Sequence, residues 1–110
     1  MPCPEHIAET MRADLGVRPG LSEMKMFGGL CFLLHGHMVC GIMKNAAMYR
    51  PGKAARPKAL ALPGVEPMAM GGRRMSGFVQ VAGDALADDA LRQKLADMSL
   101  AHAASLPPKG

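Results

Sequence analysis

The sequence predicts an α+β fold of two layers, in which helices at both ends of the chain pack on one antiparallel sheet of five or six strands. Three observations support this prediction. An apolar stripe of helical period opens the chain, another closes it, and short strand-like segments joined by tight turns lie between them. Consecutive strands with short turns pair antiparallel, and flanking helices cover such a sheet. The predicted order is α-β-β-β-(β)-α-β-β-α within a single domain spanning residues 1–110.

The two terminal helices are indicated by apolar residues that recur every three or four positions. Ile7, Met11 and Leu15 share one face of a helix over residues 4–15, and Gly16 is a natural left-handed stop. Asp88 is a suitable N-cap for a helix over residues 88–105. A shorter and weaker helix is predicted over residues 53–62, which are rich in Ala and Leu but include Pro57. The apolar stripe of the last helix is Leu91, Leu95, Met98 and His102.

Short apolar or alternating segments between the helices predict the strands. His35 and Gly36 resemble a two-residue hairpin turn, which places residues whose numbers add to 71 opposite each other. In that register Cys31 faces Cys40 on one side of the sheet. The predicted strands cover residues 21–27, 30–34, 38–43, 46–50, 66–70 and 75–81.

The hairpin at residues 30–43 is apolar on both faces. An antiparallel sheet with one solvated face alternates apolar and polar residues, so something has to cover the second face of this one. Two helices cover one face of a sheet of this size. We therefore expect a twofold homodimer that buries Phe32, Leu34 and Val39, or their opposite-face neighbours, against a second copy. The alternative is a monomer in which the short helix and residues 64–74 fold over that face.

The cysteines are Cys3, Cys31 and Cys40, too few for a disulfide scaffold and without the spacing of a zinc finger. In the predicted register the Cβ atoms of Cys31 and Cys40 lie about 4.5–5.5 Å apart, close to disulfide distance, which makes them a candidate redox pair. The simpler interpretation is two small buried apolar side chains in a reducing compartment. Methionine pairs at residues 24 and 26 and at 68 and 70 could ligate Cu(I), but strand periodicity explains them without a metal. We expect neither a metal nor a cofactor.

Positive charge is concentrated in the middle of the chain. The net charge is +4, and seven of the thirteen lysines and arginines lie between residues 44 and 74, beside the single acid Glu66. Such a segment can contact an anion or a nucleic acid. Because aromatic residues for base stacking are nearly absent there, a nucleic acid is not the favoured partner. The candidate contact residues are Arg50, Lys53, Arg56, Lys58, Arg73 and Arg74.

No apolar run approaches the ~20 residues of a membrane span. The first residues carry neither the basic nor the apolar stretch of a secretory signal. We therefore expect a cytoplasmic protein without a membrane partner.

Five ordered landmarks are Met-Phe-Gly-Gly at 26–29, the His-Gly turn at 35–36, Met-Tyr-Arg at 48–50, Met-Ser-Gly-Phe-Val-Gln-Val at 75–81, and the end of the last helix at 105–109. Together they resemble the TfoX/Sxy N-terminal domain family of bacterial proteins. The resemblance implies a two-layer α+β fold with an antiparallel sheet, in agreement with the order derived above. The family takes its name from two-domain regulators of DNA-uptake competence, and the resemblance implies no catalytic residue.

Together these observations predict a non-enzymatic interaction or regulatory domain that acts through an unknown protein partner or through self-association. The alternative is a regulator that binds a nucleic acid or another anion through the basic segment at 44–74. A redox protein that uses Cys31 and Cys40 is a third interpretation.

Overall fold

The computed structural model describes residues 4–16, 18–26, 29–42, 46–70 and 73–107. Every strand pairing is antiparallel. The strands are β1 (Leu21–Met26), β2 (Gly29–Leu34), β3 (His37–Ile42), β4 (Ala46–Tyr49), β5 (Val65–Met70) and β6 (Arg73–Ala82). They form one six-stranded sheet in the order β1-β2-β3-β4-β6-β5, so β1 and β5 are its edges.

Three α-helices accompany the sheet, and the predicted α+β fold with helices at both ends is confirmed. They are α1 (Pro4–Leu15), α2 (Arg56–Leu60) and α3 (Asp89–Ser105). A 3₁₀ helix over Gly83–Ala87 connects β6 to α3. The predicted N-cap of the last helix is also confirmed, because the Asp88 side chain accepts a hydrogen bond of 3.1 Å from the backbone N–H of Leu91.

One face of the sheet packs against α1 and α3. The residues at their interface form the larger apolar cluster of the protein, which we call the helix-side core. Met11 and Leu15 of α1 and Leu95 of α3 are almost completely buried in it, as the helical spacing predicts. The helix-side core contains, among others, Met11, Leu15, Phe32, Leu34, Val39, Cys40, Ile42, Tyr49, Val79, Val81, Leu91, Leu95 and Leu100.

The predicted hairpin turn is present, but the predicted register of its strands is wrong beyond the first two pairs. His35 and Gly36 have φ angles of +52° and +86°, as a two-residue turn of this kind requires. Leu33 pairs with Met38, and the register then shifts so that Cys31 lies opposite Gly41. Val39 is the extra residue of a β-bulge. Because both faces of the hairpin are apolar, its sequence has no apolar–polar alternation that an inserted residue would interrupt, and the bulge is not visible in the sequence.

The bulge separates the two cysteines that we predicted to face each other. Cys40 lies in the helix-side core, whereas Cys31 lies in a cluster on the other face of the sheet. Both thiols are free and buried. The cross-strand geometry on which the candidate redox pair rested is therefore absent.

The second face carries a smaller apolar cluster, which we call the outer cluster. Gly41 gives it room, because a Cβ at this position would lie 3.0 Å from the Met48 side chain and 3.1 Å from Cys31 Sγ. Met48 of β4 and Cys31 of β2 thus occupy the space above the intervening strand. Met68 of the edge strand β5 is completely buried in the same cluster. The outer cluster consists of Cys31, Met48 and Met68, with Leu33, Met38 and Phe78 partly buried around them.

The residues that we predicted for a dimer face are not on a surface. Phe32, Leu34 and Val39 are exposed by 0%, 5% and 0%, and all three belong to the helix-side core. The chain's own helices cover that face of the sheet. Self-association stays a prediction, and it now concerns the opposite-face neighbours, which belong to the outer cluster.

Two predicted turns, at residues 44–45 and 71–72, lie outside the described residues, as does Gly28. Within the described ranges, no helix has both the length and the apolar character needed to cross a membrane.

Candidate anion-binding cleft

A cleft opens where β4 ends, beside the middle of β6 and the last turn of α3. Its volume is about 540 Å³, which is in the range of small-molecule sites. The loop from β4 to α2 forms one wall. The lining residues are Arg50, Gly52, Lys53, Ala54, Gly77, Phe78, His102 and Leu106.

Backbone hydrogen bonds fix the loop that carries the predicted cations. The N–H of Arg50 donates to the carbonyl of Val39, the bulged residue of β3, at 2.9 Å. The N–H of Gly52 donates to the carbonyl of Gly77 on β6 at 3.2 Å, and the Gly52 carbonyl accepts from the N–H of Arg56 at 3.0 Å. The loop is therefore held by β3, by β6 and by the first turn of α2.

Gly52 is required at this position for two reasons. Its φ angle of +89° is a conformation that residues with a side chain rarely adopt. A Cβ here would also lie 2.4 Å from Nδ1 of His102. The imidazole of α3 thus packs directly on the loop, and this contact closes one side of the cleft.

Two cations in the cleft have no acidic partner among the described residues. Arg50 is half-buried, with its guanidinium carbon 5.7 Å from the centre of the Phe78 ring, and Lys53 is exposed. The cation–π contact orients the Arg50 guanidinium without neutralising its charge. Among the described residues, the ion pairs join Arg12 to Glu23 and Arg92 to Asp14 and Asp89, and none involves Arg50 or Lys53.

His102 adds a titratable group to this positive site. Burial lowers the pKa of His102, and the nearby charges of Arg50 and His37 lower it further. The imidazole is therefore neutral at neutral pH. His37 itself is held by the end of the chain, since its Nε2 donates to the Pro107 carbonyl at 2.5 Å. An anion placed beside His102 would favour its protonated form.

The structure brings together only part of the predicted basic surface. Arg50 and Lys53 line the cleft. Arg56 of α2 lies next to it, and its Nε donates to the Phe78 carbonyl at 3.4 Å. Lys58 is exposed on α2 and is not among the lining residues. Arg73 and Arg74 belong to β6, but their side chains lie outside the described part of the structure.

Sequence reasoning did not place Phe78, His102 or Leu106 at this site. The sequence places His102 on the apolar stripe of the last helix without a functional role, and in the structure it is half-buried. Phe78 was assigned only to a strand face. His102 and Leu106 are four positions apart, but Phe78 lies 24 positions before His102 and 28 after Arg50, so no local pattern links the last turn of α3 to Phe78 or to Arg50.

The donor set of the cleft favours anions over metal ions. A guanidinium, an ammonium and an imidazole line it, and no carboxylate or thiol is among the described lining residues. Among the described residues, no group of three or more His, Cys, Asp or Glu side chains is arranged to hold a metal ion. Cationic and N–H donors bind carboxylates, phosphates and sulfonates.

Comparison with known families agrees with the fold. The model of the TfoX N-terminal domain matches residues 15–103, which include all six strands, α2 and most of α3. The searches of curated proteins and of solved structures each gave no match. The matched segment covers most of the 110 residues, and the chain therefore belongs to the TfoX N-terminal domain family.

Proposed function

We propose that this TfoX N-terminal domain is a non-enzymatic regulatory domain that binds an anionic ligand in the cleft and passes the binding event to a partner. The observation that carries this proposal is the pair of cations, Arg50 and Lys53, which face a cavity of about 540 Å³ without an acidic partner among the described residues. Unpaired charges at a concave site are stabilised when an opposite charge binds.

The donor set of the described lining residues suits the binding of an anion, which supports a binding role. Among the described residues that line the cleft there is no Ser, Thr, Cys, Asp or Glu. A binding domain of this kind suits the family, whose named members are regulators. We place the protein in the cytoplasm, in agreement with this role.

Amide chemical shifts test the proposal directly. Inorganic phosphate is added to ¹⁵N-labelled protein at about 50 mM salt, a permissive condition for a charge contact. We expect the largest shifts at the amides of Gly52, Lys53 and Gly77. The double variant Arg50→Gln with Lys53→Gln should lose them, whereas Lys58→Gln, which removes a charge outside the cleft, should keep them. Shifts that are absent, or that survive in the double variant, would overturn the proposal.

A second candidate function is self-association of two copies through the outer cluster and β1. Met24 is 50% exposed on this edge strand, and Leu33, Met38 and Phe78 are only partly buried. Edge strands present unpaired backbone groups, and two β1 strands paired antiparallel about a twofold axis would bring the two Met24 side chains together. This arrangement extends the sheet and covers apolar surface at the same time.

Sedimentation equilibrium tests self-association. We expect the wild-type chain to be a dimer at high concentration and Met24→Lys to be a folded monomer. Phe32→Glu is the matched contrast, because it places a charge in the helix-side core and should prevent folding in either oligomeric state. A wild-type chain that remains monomeric at high concentration would exclude the dimer.

A further inference from the structure

The volume of the cleft and the apolar side chains in its walls indicate the size and polarity of the ligand, in addition to its negative charge. Arg50, Lys53 and His102 supply the polar groups, while Ala54, Phe78 and Leu106 supply apolar surface. A bare inorganic anion would fill a small part of about 540 Å³. The remaining space would hold water against apolar walls, which is unfavourable compared with an apolar ligand group.

We propose, as an extension of the proposed anion-binding function, that the cleft binds a small amphipathic anion. Its charged head contacts Arg50, Lys53 and His102, and its apolar body packs against Ala54, Phe78 and Leu106. The ligand class is a carboxylate, phosphate or sulfonate attached to an aromatic or aliphatic group of modest size.

The position of Phe78 supports an apolar body rather than a second charged group. The Arg50 guanidinium lies 5.7 Å from the centre of the Phe78 ring and so occupies one side of the aromatic system. The ring is nevertheless only half-buried. Leu106 at the C-cap of α3 is likewise half-buried, although its backbone is fixed by a hydrogen bond from its N–H to the Ala103 carbonyl. Both apolar side chains therefore retain surface that a ligand can cover.

His102 makes the binding depend on pH. The titratable or charged groups around it are Arg50 after β4, Lys53 in the loop that follows, and His37 on β3. All of them are basic, so the empty cleft opposes a proton on His102. A bound anion reverses that balance, and His102 takes up a proton as the ligand enters. Affinity should therefore rise as the pH falls.

Two sulfonates with the same head separate the contributions of charge and apolar body. Benzenesulfonate and methanesulfonate both keep one negative charge between pH 5 and 8, and they differ in the ring. Binding is followed by amide chemical shifts of the full chain. We expect benzenesulfonate to bind about tenfold more tightly, because only its ring covers Phe78 and Leu106.

Substitutions show which side chains contact the charged head of the ligand and which contact its apolar body. Arg50→Gln should weaken both sulfonates about tenfold, since it removes a charged hydrogen-bond donor. Leu106→Ala should weaken benzenesulfonate about threefold and leave methanesulfonate unchanged. Lys58→Gln, outside the cleft, should change neither by more than about twofold. Phenyl phosphate and benzoate, measured in the same way, then distinguish a phosphate head from a carboxylate head.

The pH dependence gives an independent readout. Wild-type affinity for benzenesulfonate should rise about threefold between pH 7.5 and 5.5, and His102→Gln should remove this rise. Equal binding of both sulfonates would overturn the amphipathic ligand but leave the anion-binding function in place. If inorganic phosphate or duplex DNA binds while neither sulfonate shifts an amide, the amphipathic ligand is likewise overturned and the anion-binding function stays. If no anion binds at all, both proposals fail.

Discussion

Arg92 of α3 and Asp14 of α1 form an ion pair of 2.9 Å between Nε and Oδ2, and both side chains are largely buried, at 9% and 14% exposure. Arg92 also donates to the Leu86 carbonyl at 2.6 Å and to Asp89 at 2.5 Å. One guanidinium thus connects the first helix, the 3₁₀ turn before the last helix, and the last helix itself. The pair therefore joins α1 to α3 directly, in addition to their packing on the sheet.

Removing Asp14 should destabilise the fold more than removing an exposed pair. Asp14→Ala leaves the Arg92 charge largely buried with fewer acceptors, and we expect a loss of about 3 kcal/mol in the free energy of unfolding. Arg12→Ala breaks the pair with Glu23, whose side chains are 47% and 36% exposed, and should cost less than about 1 kcal/mol. Urea unfolding measures both. Equal losses would contradict the role assigned to Arg92.

The pKa of His102 predicts a loss of stability in mild acid. Because burial, Arg50 and His37 lower this pKa in the folded state, the unfolded chain takes up the proton first as the pH falls below about 6.5. Stability is therefore complete above that pH and declines below it. The melting temperature of His102→Gln should fall less between pH 7 and 5.5 than that of the wild type.

Tyr49 predicts the opposite behaviour in alkali. Burial raises the pKa of Tyr49, with smaller contributions in the same direction from Cys40 and Asp14. The unfolded chain ionises near pH 10 while the folded chain does not, so stability is lost as the pH rises further, by up to about 1.4 kcal/mol per pH unit. Tyr49→Phe should reduce this loss.

The same variant should cost little at neutral pH, because the Tyr49 hydroxyl is buried and has no hydrogen-bond partner in the described part of the structure. A loss of more than about 1 kcal/mol at pH 7 would show that the hydroxyl makes a stabilising contact. Chemical unfolding at pH 7 and pH 10.5 gives both values.

Gly41 predicts a steric requirement in the middle of the sheet. An added Cβ would lie 3.0 Å from the Leu30 carbonyl oxygen and 3.0 Å from the end of Met48. The methionine can move, but the backbone oxygen cannot, so Gly41→Ala should cost about 1–3 kcal/mol. Gly77→Ala is the control, because the nearest atom to its Cβ is 4.0 Å away. Thermal unfolding of the two variants should therefore differ, and a tolerated Gly41→Ala would show that the strands can shift.

Local patterns predicted most of the elements because each was encoded within a few residues. The spacing of Met11 and Leu15, the Asp88 cap and the His35–Gly36 turn all depend on near neighbours, and all are present in the structure. The bulge at Val39 was not predictable, because inserting one residue into a strand that is apolar on both faces leaves no mark in the pattern.

The candidate site was predicted in part for the same reason. Arg50 and Lys53 stand out as a local excess of charge, and they line the cleft. His102 reaches it only because α3 crosses the sheet above the loop at Gly52, a contact between residues 50 positions apart. Proximity of this kind depends on the tertiary fold and on the position of the bulge. A local excess of charged residues can indicate such a site, but it does not predict the distant residues that the tertiary fold brings to it.

The hydrogen bond between His37 and the Pro107 carbonyl has a kinetic consequence. It joins residues 70 positions apart, and the Arg92–Asp14 pair spans 78. The strands from β1 to β4, in contrast, pair with immediate neighbours along the chain. During synthesis, these strands emerge before α3, so the sheet surface that α3 covers stays exposed until Ser105 has left the ribosome. Packing of α3 on the sheet therefore comes late in folding. Before that step, the exposed apolar face of the sheet makes the chain most prone to aggregation or chaperone binding.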